Sequence, residues 1–366
     1  MIAKAVLDEA TEALFESSER VLREELEGST AGVVILLPWR SAPPDRSRND
    51  GTVHSFLCTE AVRSRLPADC PRDRLCYVLL KMILDGELAA DRILIRQLPY
   101  IPDDDRPPAE ECAAAMLMAH RGSIDHLRVA LSNLPAGLRI RVGLDVEDAG
   151  TYQFLAASFP GVEFYKGYPA PVGPYLIRQE LAELSPEPVF VFHDSDDVSC
   201  SDRMGSLRAE MGATGCDLIG CHELMVDEVA EEVRVFRYPL DVVEALRSGP
   251  YYSLLHGTSM IKREAFFAAG GFSTDRMISI DMQFLYRAYF RLRIRNADRF
   301  LYIRRRHAGA LTVHPATSIR SDQRREIERS WAPDFEAVKM GKLELSKSTL
   351  MPVRASVPHE LVPFSR

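Results

Sequence analysis

The sequence predicts an α/β fold with a mainly parallel sheet, because short apolar strands alternate with amphipathic helices from Ala113 onward. Two of these predicted strands end in aspartate, at the position where an open α/β sheet binds its ligand. The chain has 366 residues, of which 46% are hydrophobic and 27% charged, enough apolar material for one large domain or two smaller ones. We therefore expect helices on both faces of the sheet and a ligand site at its acidic edge.

The predicted elements alternate strictly between strand and helix. Ser123 is predicted to cap the first helix, and the turn signals Pro135-Ala136-Gly137 and Pro160-Gly161 close the first two helices. The predicted strands cover residues 113–119, 138–144, 162–165 and 188–192, and the helices between them cover residues 123–134, 151–159 and 175–184.

The chain divides into three regions by pattern. Residues 1–110 form an N-terminal α/β or helical region of unknown role, which ends in a proline-flanked linker at 101–111. Residues 111–335 form the main α/β domain. Residues 336–366 form a C-terminal tail, which is polar with scattered prolines beyond Lys342 and is predicted to be a strap or a partly disordered end.

Composition and charge argue against some classes of binding partner. The formal net charge of −8 argues against nucleic acid, because binding to a phosphate backbone requires a basic face. The longest apolar stretch, Ala31 to Trp39, is far shorter than the roughly 20 residues that span a bilayer, so no transmembrane segment is expected. The 28 N-terminal residues lack the apolar core of a signal peptide, and the seven cysteines include no C-x-x-C pair. Both observations predict a cytoplasmic location.

The strongest site signal is His193-Asp194-Ser195-Asp196-Asp197, which directly follows the apolar run 188–192. Aspartates spaced two apart at a strand end can hold a hard divalent cation and leave its other positions to substrate phosphates and water. The alternative is an ordinary acidic turn before a helix, where carboxylates are also favoured. Asp103-Asp104-Asp105 has no apolar strand before it and is predicted to be solvated linker.

The order of several motifs resembles the inverting GT-A glycosyltransferases of family 2, which use nucleotide sugars. The similarity covers roughly residues 113–312, and it implies a GT-A fold, a Rossmann-like mainly parallel sheet, for residues 111–335. The matching positions are Asp145, Arg178, Asp194 to Asp197, Gly270-Gly271-Phe272, Asp281 and Arg305-Arg306-His307. Ser201-Asp202-Arg203-Met204 also matches a helix start of the family, with serine where proline is common.

The resemblance implies a donor site on the first half of the domain. Asp145 would accept from the base of a uridine nucleotide, although a turn cap is the alternative, and Arg178 would lie near the nucleotide unless it is on a solvated helix face. Asp194 would contact the ribose, and Asp196 and Asp197 would hold Mn²⁺ or Mg²⁺. The sequence does not decide which of these carboxylates binds the ion.

The resemblance implies that the acceptor binds to residues in the second half of the domain. Asp281, at the start of the helix 282–292, matches the general base of the family, and a helix cap is its alternative. Gly270-Gly271 predicts backbone with positive φ or a close approach to a sugar, and a simple helix stop is equally natural. His307 resembles an element that closes over the diphosphate, where an imidazole can screen negative charge.

The sequence thus predicts a metal-dependent inverting glycosyltransferase of the hexosyltransferase class, with a nucleotide-diphosphate sugar, UDP-linked by expectation, as donor. The acceptor is unspecified and includes a carrier, a peptide, a lipid or a small natural product; a homodimer is also left open. A sugar-nucleotide nucleotidyltransferase is the first alternative, but Met118 to Ser123 offers one glycine and one arginine where a basic phosphate loop is needed. A non-catalytic nucleotide-sugar-binding protein is the second alternative.

Overall fold

The structure is a computed structural model that describes residues 1–38, 46–100, 113–134, 138–356 and 358–364. The turn Pro135-Ala136-Gly137 and the whole of the predicted linker 101–111, which includes Asp103-Asp104-Asp105, lie outside these residues. Among the described helices, none has the length and apolar character needed to cross a bilayer.

Strands and helices alternate along most of the described chain. The strands are β1 (Gly32–Pro38), β2 (Arg48–Thr52), β3 (Ser55–Cys58), β4 (Arg92–Leu98), β5 (Ala114–His120), β6 (Arg139–Leu144), β7 (Val162–Tyr168), β8 (Val189–Phe192), β9 (Val198–Ser199), β10 (Leu218–Asp227), β11 (Glu232–Arg237), β12 (Met260–Lys262), β13 (Ile294–Arg306) and β14 (Glu360–Pro363).

The α-helices are α1 (Glu9–Phe15), α2 (Glu19–Glu24), α3 (Glu60–Arg63), α4 (Arg72–Leu84), α5 (Ile124–Ser132), α6 (Gln153–Ser158), α7 (Pro174–Leu184), α8 (Arg203–Thr214), α9 (Val242–Leu246), α10 (Arg263–Ala268), α11 (Ile280–Tyr289) and α12 (Asp322–Lys339). Short 3-10 helices lie at Gly150–Tyr152, His256–Thr258 and Leu345–Lys347.

The large sheet confirms the predicted α/β class and the parallel βαβ units. Its strand order is β14-β7-β6-β5-β8-β12-β10-β11-β2, and β13 pairs with β10 and β9. Strands β7, β6, β5 and β8 are mutually parallel and are connected through α5, α6 and α7. Their carboxyl ends therefore meet at one edge, which brings His120, Leu144 and Phe192 to the same side of the molecule.

The other half of the sheet is mixed rather than parallel, because β12 runs antiparallel to both β8 and β10. The 3-10 helix before β12 lies beside the carboxyl end of β8, where the Arg203 guanidinium donates to the carbonyls of both Phe192 and Gly257 at 2.9 Å. The chain therefore enters β12 from the site edge and must run back along β8. Apolar periodicity predicts a strand but not its direction, so the sequence did not indicate this reversal.

Both faces of the parallel strands are covered, as predicted. Alternate side chains of β5 belong to different cores: Ala115 and Leu117 pack with α7, α10 and α11, whereas Met116 and Met118 pack with α5, α6 and α8. A strand that is buried on both faces consists of a continuous run of apolar residues. For this reason β5 and β8 could be predicted from the sequence.

Residues 1–100 form a second sheet of order β3-β1-β4, with β1 parallel to β4. One face of this sheet packs with α1 and α2 in a core that lies within residues 1–100, whereas the other face shares a core with the large sheet. Side chains of β1, β3, β4 and α4 pack in one cluster with β9, β10, β11 and β13 across the predicted boundary at residue 110. Strand β2 also joins the edge of the large sheet, where it pairs with β11. The alternation rule misses β2 because its residues are mostly polar and exposed.

The C-terminal residues form a strap, and α12 crosses the predicted boundary at residue 335/336. The Arg287 guanidinium donates to the carbonyls of Ala269, Gly271 and Leu350, so it ties the strap to the turn that precedes α11. Strand β14 then pairs with β7 at the edge of the large sheet. The strap thus spans from the α11 half of the domain to its parallel half.

Candidate active site

The acidic run leaves β8 at the edge where the parallel strands end. The loop is held by its own backbone and by aromatic neighbours: the amide of Asp197 donates to the carbonyl of Asp194 at 3.3 Å, and the Asp194 amide contacts the Tyr302 hydroxyl at 3.1 Å. His193 is fully buried against Tyr302, with ring centroids 5.2 Å apart. The aspartates are therefore presented by a rigid turn.

Arg178 is paired with Asp194. It lies on α7 and is 4% exposed, so the alternative of a solvated helix face is wrong. Its guanidinium donates to the Asp194 carboxylate and, at 3.4 Å, to the His193 carbonyl. Burial by itself disfavours the charged carboxylate, but the positive charge and the hydrogen bond of Arg178, together with smaller contributions from neighbouring histidines, outweigh it and lower the pKa of Asp194. The structure thus brings these two predicted residues together.

Asp196 and His307 also meet, although 111 residues separate them in the sequence. The His307 ring lies just beyond β13, and its Nε2 is 3.1 Å from Oδ2 of Asp196. His126, on α5, packs edge-on against His307 with ring centroids 5.0 Å apart. Asp196 keeps 29% of its side chain exposed, so this carboxylate still faces solvent.

Asp197 is the buried member of the run, at 2% exposure. Its Oδ1 accepts from the backbone amide of Arg305 at 2.7 Å, which fixes the run against β13. Burial, and then the negative charges of Asp196 and Asp194, raise the pKa of Asp197 well above its usual range. Three carboxylates in one turn therefore repel one another in the protein alone.

These residues fit a divalent cation that is shared with a substrate, and not a complete protein cage. Among the described residues, no group of three histidine, cysteine or acidic side chains is arranged to hold a metal. A cation such as Mg²⁺ is nevertheless commonly bound by one or two carboxylates together with substrate phosphates. Asp196, which is partly exposed, fits that role, and the crowding of negative charge at Asp197 is the kind that a cation relieves.

Asp145 ends β6 and lies 2% exposed. Its two carboxylate oxygens accept from the backbone amides of Val172 at 2.7 Å and Gly173 at 2.8 Å, just before α7. The structure therefore shows the turn cap, which was the alternative reading of this residue. Contact with a uracil base stays a prediction that relies on the remaining lone pairs of the carboxylate.

Asp281 lies in the first turn of α11, and it is not the helix cap. The N-cap is Ser279, a residue with positive φ. Burial and the nearby Asp281 carboxylate, which interacts with the Tyr175 hydroxyl, raise the pKa of Tyr175 well above its usual range. Oδ1 of Asp281 is buried and has no hydrogen-bond partner among the described residues. A buried carboxylate oxygen without a partner is costly, and such groups concentrate at functional sites.

The paired glycines Gly270 and Gly271 precede α11, and their role is in packing within the protein. Both have positive φ, +89° at Gly270 and +66° at Gly271, as the sequence predicted. A Cβ on Gly271 would lie 2.4 Å from Oε1 of Gln179, and this oxygen accepts from the amide of Phe272 at 2.8 Å. The close approach is therefore to a side chain of α7, and it locks α11 to the helix that carries Arg178.

Arg305 and Arg306, which precede His307 in the motif, are held by structural ion pairs. The Arg305 guanidinium contacts Glu228 and Asp85, and Arg306 contacts Asp227 at 2.7 Å. Arg305 thereby connects α4 of the N-terminal region to the backbone that fixes Asp197. Its role is to position the acidic run.

The sequence pattern gave no individual role to Tyr175, His256 or Gly257. Tyr175 lies close enough to Arg178 and Asp281 for both charges to act on its hydroxyl. A Cβ on Gly257 would lie 2.8 Å from Oδ2 of Asp194 and 3.0 Å from the Tyr302 hydroxyl, so this position requires glycine. The adjacent His256 is 8% exposed, and its Nε2 has no hydrogen-bond partner within the described ranges. The sequence signal for these two residues is the dipeptide His256-Gly257 ahead of a short apolar strand.

Comparisons with known proteins give limited similarity. No protein-family model matches the chain, and no curated protein matches it. Among solved structures, residues 1–349 of TarS from S. aureus, crystallised in complex with UDP-GlcNAc, are 14% identical with a TM-score of 0.45, over 54% of this chain and 60% of that chain. The complex of TarS 1–349 with UDP is 12% identical with a TM-score of 0.43, over 64% and 73%. The first alignment thus spans less than two thirds of TarS 1–349.

Proposed function

We propose that the protein is an inverting glycosyltransferase with a GT-A fold, which transfers a sugar from a nucleotide-diphosphate donor to a hydroxyl group. The observation that carries the proposal is the arrangement of carboxylates around Tyr175. On one side, Arg178 pairs with Asp194 at the start of the acidic run. On the other side, Asp281 contacts Tyr175 and keeps one buried oxygen without a partner.

Each side suits one half of the transfer. Inversion at an anomeric carbon requires an acceptor hydroxyl that attacks opposite the leaving diphosphate while its proton is removed. We assign the base to Asp281, which would accept the proton on a carboxylate oxygen. Tyr175 and the turn at Gly271 would hold this carboxylate in place, because pre-positioned groups raise the rate of such a step.

The donor is assigned to the acidic run. Asp194 would accept from the ribose hydroxyls while Arg178 keeps it ionised, and Asp145 would contact the base, for which uracil is our expectation. Asp196, with Asp197 behind it, would hold Mn²⁺ or Mg²⁺. When bound, the cation would neutralise charge that develops on the leaving diphosphate. His307 would orient Asp196 and lie beside the diphosphate.

The remaining assignments follow from the sequence. The acceptor, whether a carrier, peptide, lipid or small natural product, would be recognised on the side of Asp281, and we retain the expectations of a cytoplasmic location and of a homodimer as proposals. A nucleotidyltransferase is less favoured, because the segment that follows β5 offers one glycine, Gly122, and one arginine, Arg121, where a basic phosphate loop is needed. A non-catalytic binding protein would have no use for an unpartnered oxygen on Asp281.

A thermal-shift screen of nucleotide sugars with and without Mn²⁺ tests the donor assignment, since a ligand that binds only the native state raises the apparent stability. We expect a UDP sugar with Mn²⁺ to give the largest shift. Product stereochemistry by NMR then tests the mechanism. A retained anomer, or stabilisation by no nucleotide sugar under any condition, would contradict the proposal.

A further inference from the structure

A small cavity adjoins Asp281 and reaches Phe192, the last residue of β8. The volume open to the centre of a water molecule is about 10 Å³. Most of the wall is apolar, and three polar residues interrupt it. The lining residues are Phe192, Leu218, Leu254, His256, Ser259, Asp281, Phe284 and Leu285. A space of this size accommodates one water molecule if two to four polar partners face it.

The polar residues of this wall include two with unpartnered atoms. Oδ1 of Asp281 and Nε2 of His256 are both buried, and neither has a hydrogen-bond partner in the part of the chain that the structure describes. Ser259 donates its hydroxyl hydrogen to the His256 carbonyl at 2.7 Å, so its oxygen remains free to accept. Leaving two buried polar atoms unsatisfied destabilises the folded state, and a shared water molecule would avoid that cost.

The hydrogen-bonding capacities of these groups match a single water molecule. Burial, together with the positive charge of Arg178, lowers the pKa of His256 well below its usual range, so its imidazole is neutral and carries one N–H. With that hydrogen on Nε2, the water accepts from His256 and donates to Asp281 Oδ1 and to the Ser259 hydroxyl. Three hydrogen bonds are typical of a buried water.

His256 is itself fixed by the donor side of the site. Its ring packs on Phe192 and Phe272, with centroids 4.2 and 5.1 Å away, and the next residue, Gly257, lies against the Asp194 carboxylate. His256-Gly257 therefore contacts both halves of the site. A shift of the acidic run would be transmitted to the group that faces Asp281.

We propose that His256 is a positioning residue for Asp281 and acts through one ordered water molecule in this cavity. The proposal rests on the assignment of Asp281 as base under the proposed function. The water holds Oδ1 while the Tyr175 hydroxyl contacts the same carboxylate, so the carboxylate plane is fixed from two directions. The carboxylate is then oriented toward the acceptor hydroxyl before the acceptor binds.

A high-resolution crystal structure of the full chain tests the water directly. We expect density for one water molecule within hydrogen-bond distance of Asp281 Oδ1, His256 Nε2 and the Ser259 hydroxyl. An empty cavity, or a direct contact between Asp281 and His256, would overturn the proposal. This readout does not depend on any transferase activity, so it also separates failure of this inference from failure of the proposed function.

Kinetics of three variants test the positioning role. His256→Phe keeps the aromatic packing and removes the ring nitrogen, and we expect kcat to fall roughly 10- to 100-fold with the donor KM unchanged. His256→Gln places an amide near the position of Nε2 and should restore most of that loss. His222→Gln is the matched control, because His222 is buried but already bonded to Asp298 and to the Tyr238 amide, both at 3.1 Å. It should leave kcat unchanged.

Two kinetic outcomes would contradict the role of His256. Equal kcat in His256→Phe and the parent enzyme would show that the imidazole does not position the base. Equal losses in the Phe and Gln variants, with no rescue, would indicate a purely structural histidine. If His256→Phe does not fold, the Gln variant and the electron density still decide.

Discussion

The two halves of the site differ in how completely the protein satisfies their polar groups. On the donor half, the carboxylates have protein partners: Asp194 has Arg178, Asp196 has His307, and Asp197 accepts from the Arg305 amide. On the acceptor half, Asp281 Oδ1 and His256 Nε2 have none among the described residues. The carboxylates of the donor half are thus held by the fold, although Arg178 Nε and His193 Nε2 are buried there without partners among the described residues. On the acceptor half, the unpartnered atoms include an oxygen of the proposed base itself.

The difference also concerns charge. Crowding on the donor half keeps Asp197 from ionising easily, because burial and two neighbouring carboxylates act on it together. The acceptor half has the opposite deficit. Oδ1 of its proposed base, Asp281, lacks a hydrogen-bond donor among the described residues, whereas the donor half lacks a cation. A cation is the natural complement of the first half, and hydroxyl groups are the natural complement of the second.

The largest expected effect comes from Asp281→Asn, which preserves shape and removes the base. We expect kcat to fall roughly 10²- to 10⁴-fold with the donor KM little changed, the range typical of general-base catalysis. Asp275→Asn is the control in the same segment, because Asp275 is exposed and pairs only with neighbouring Arg276. A parent-like rate for Asp281→Asn at saturating substrate would place the base elsewhere.

Asp196→Ala should act on the other half. We expect the Mn²⁺-dependent part of donor affinity, measured by calorimetry, to fall roughly 10- to 100-fold, as when a metal site loses a supporting group. Asp148→Ala removes the same charge from an exposed loop, where Asp148 only accepts from the Gly150 amide at 2.8 Å. Intact Mn²⁺-dependent donor binding in both Asp196→Ala and Asp197→Ala would refute the metal assignment.

Gly257→Ala tests whether the two halves are mechanically joined. The new Cβ would press on Asp194 and on the Tyr302 hydroxyl, and we expect the donor KM to rise on the order of 10-fold. Gly205→Ala on α8 is the matched control, because its Cβ would meet nothing within 4 Å. A donor KM that rises no more in Gly257→Ala than in Gly205→Ala would mean that Asp194 tolerates displacement.

The smallest effect concerns stability against acid on the donor half. His120 bonds Ser195 at 2.8 Å and Tyr152 at 3.1 Å, and burial lowers its pKa to about 4. The unfolded chain binds a proton near pH 6.5 and the folded chain does not, so stability should be lost as the pH falls from about 6.5 toward 4. His120→Gln should flatten this dependence, by on the order of 3 kcal/mol at most, in chemical denaturation at several pH values.

Tyr152→Phe is the control for the acid dependence. It removes one partner of His120 and leaves the histidine buried, so it should lower the free energy of unfolding at every pH without flattening the slope. An unchanged slope in His120→Gln would assign the acid sensitivity to other groups, of which buried His193 is the first candidate because its pKa is lowered to about 3.

Residues of the site could be predicted from the sequence only where a recognisable strand or helix ended in a turn. The acidic run was visible because β8 is buried on both faces and ends abruptly in polar residues. Asp145 and Asp281 were visible as acidic residues at element ends, but their surroundings were not. No residue near Asp145 in the sequence indicates that the backbone amides of Val172 and Gly173 donate hydrogen bonds to its carboxylate.

The sequence by itself determined the α/β class, the parallel strands and the acidic edge, because burial on both faces and turn residues are local properties. Only the tertiary structure decided that Asp196 meets His307, that β12 runs backward, and that His256 faces the same cavity as Asp281. These contacts join residues that are distant in the chain, and several strand directions and registers satisfy the same apolar pattern. Packing of the whole molecule selects one of them, and the chemistry of the site follows from that selection.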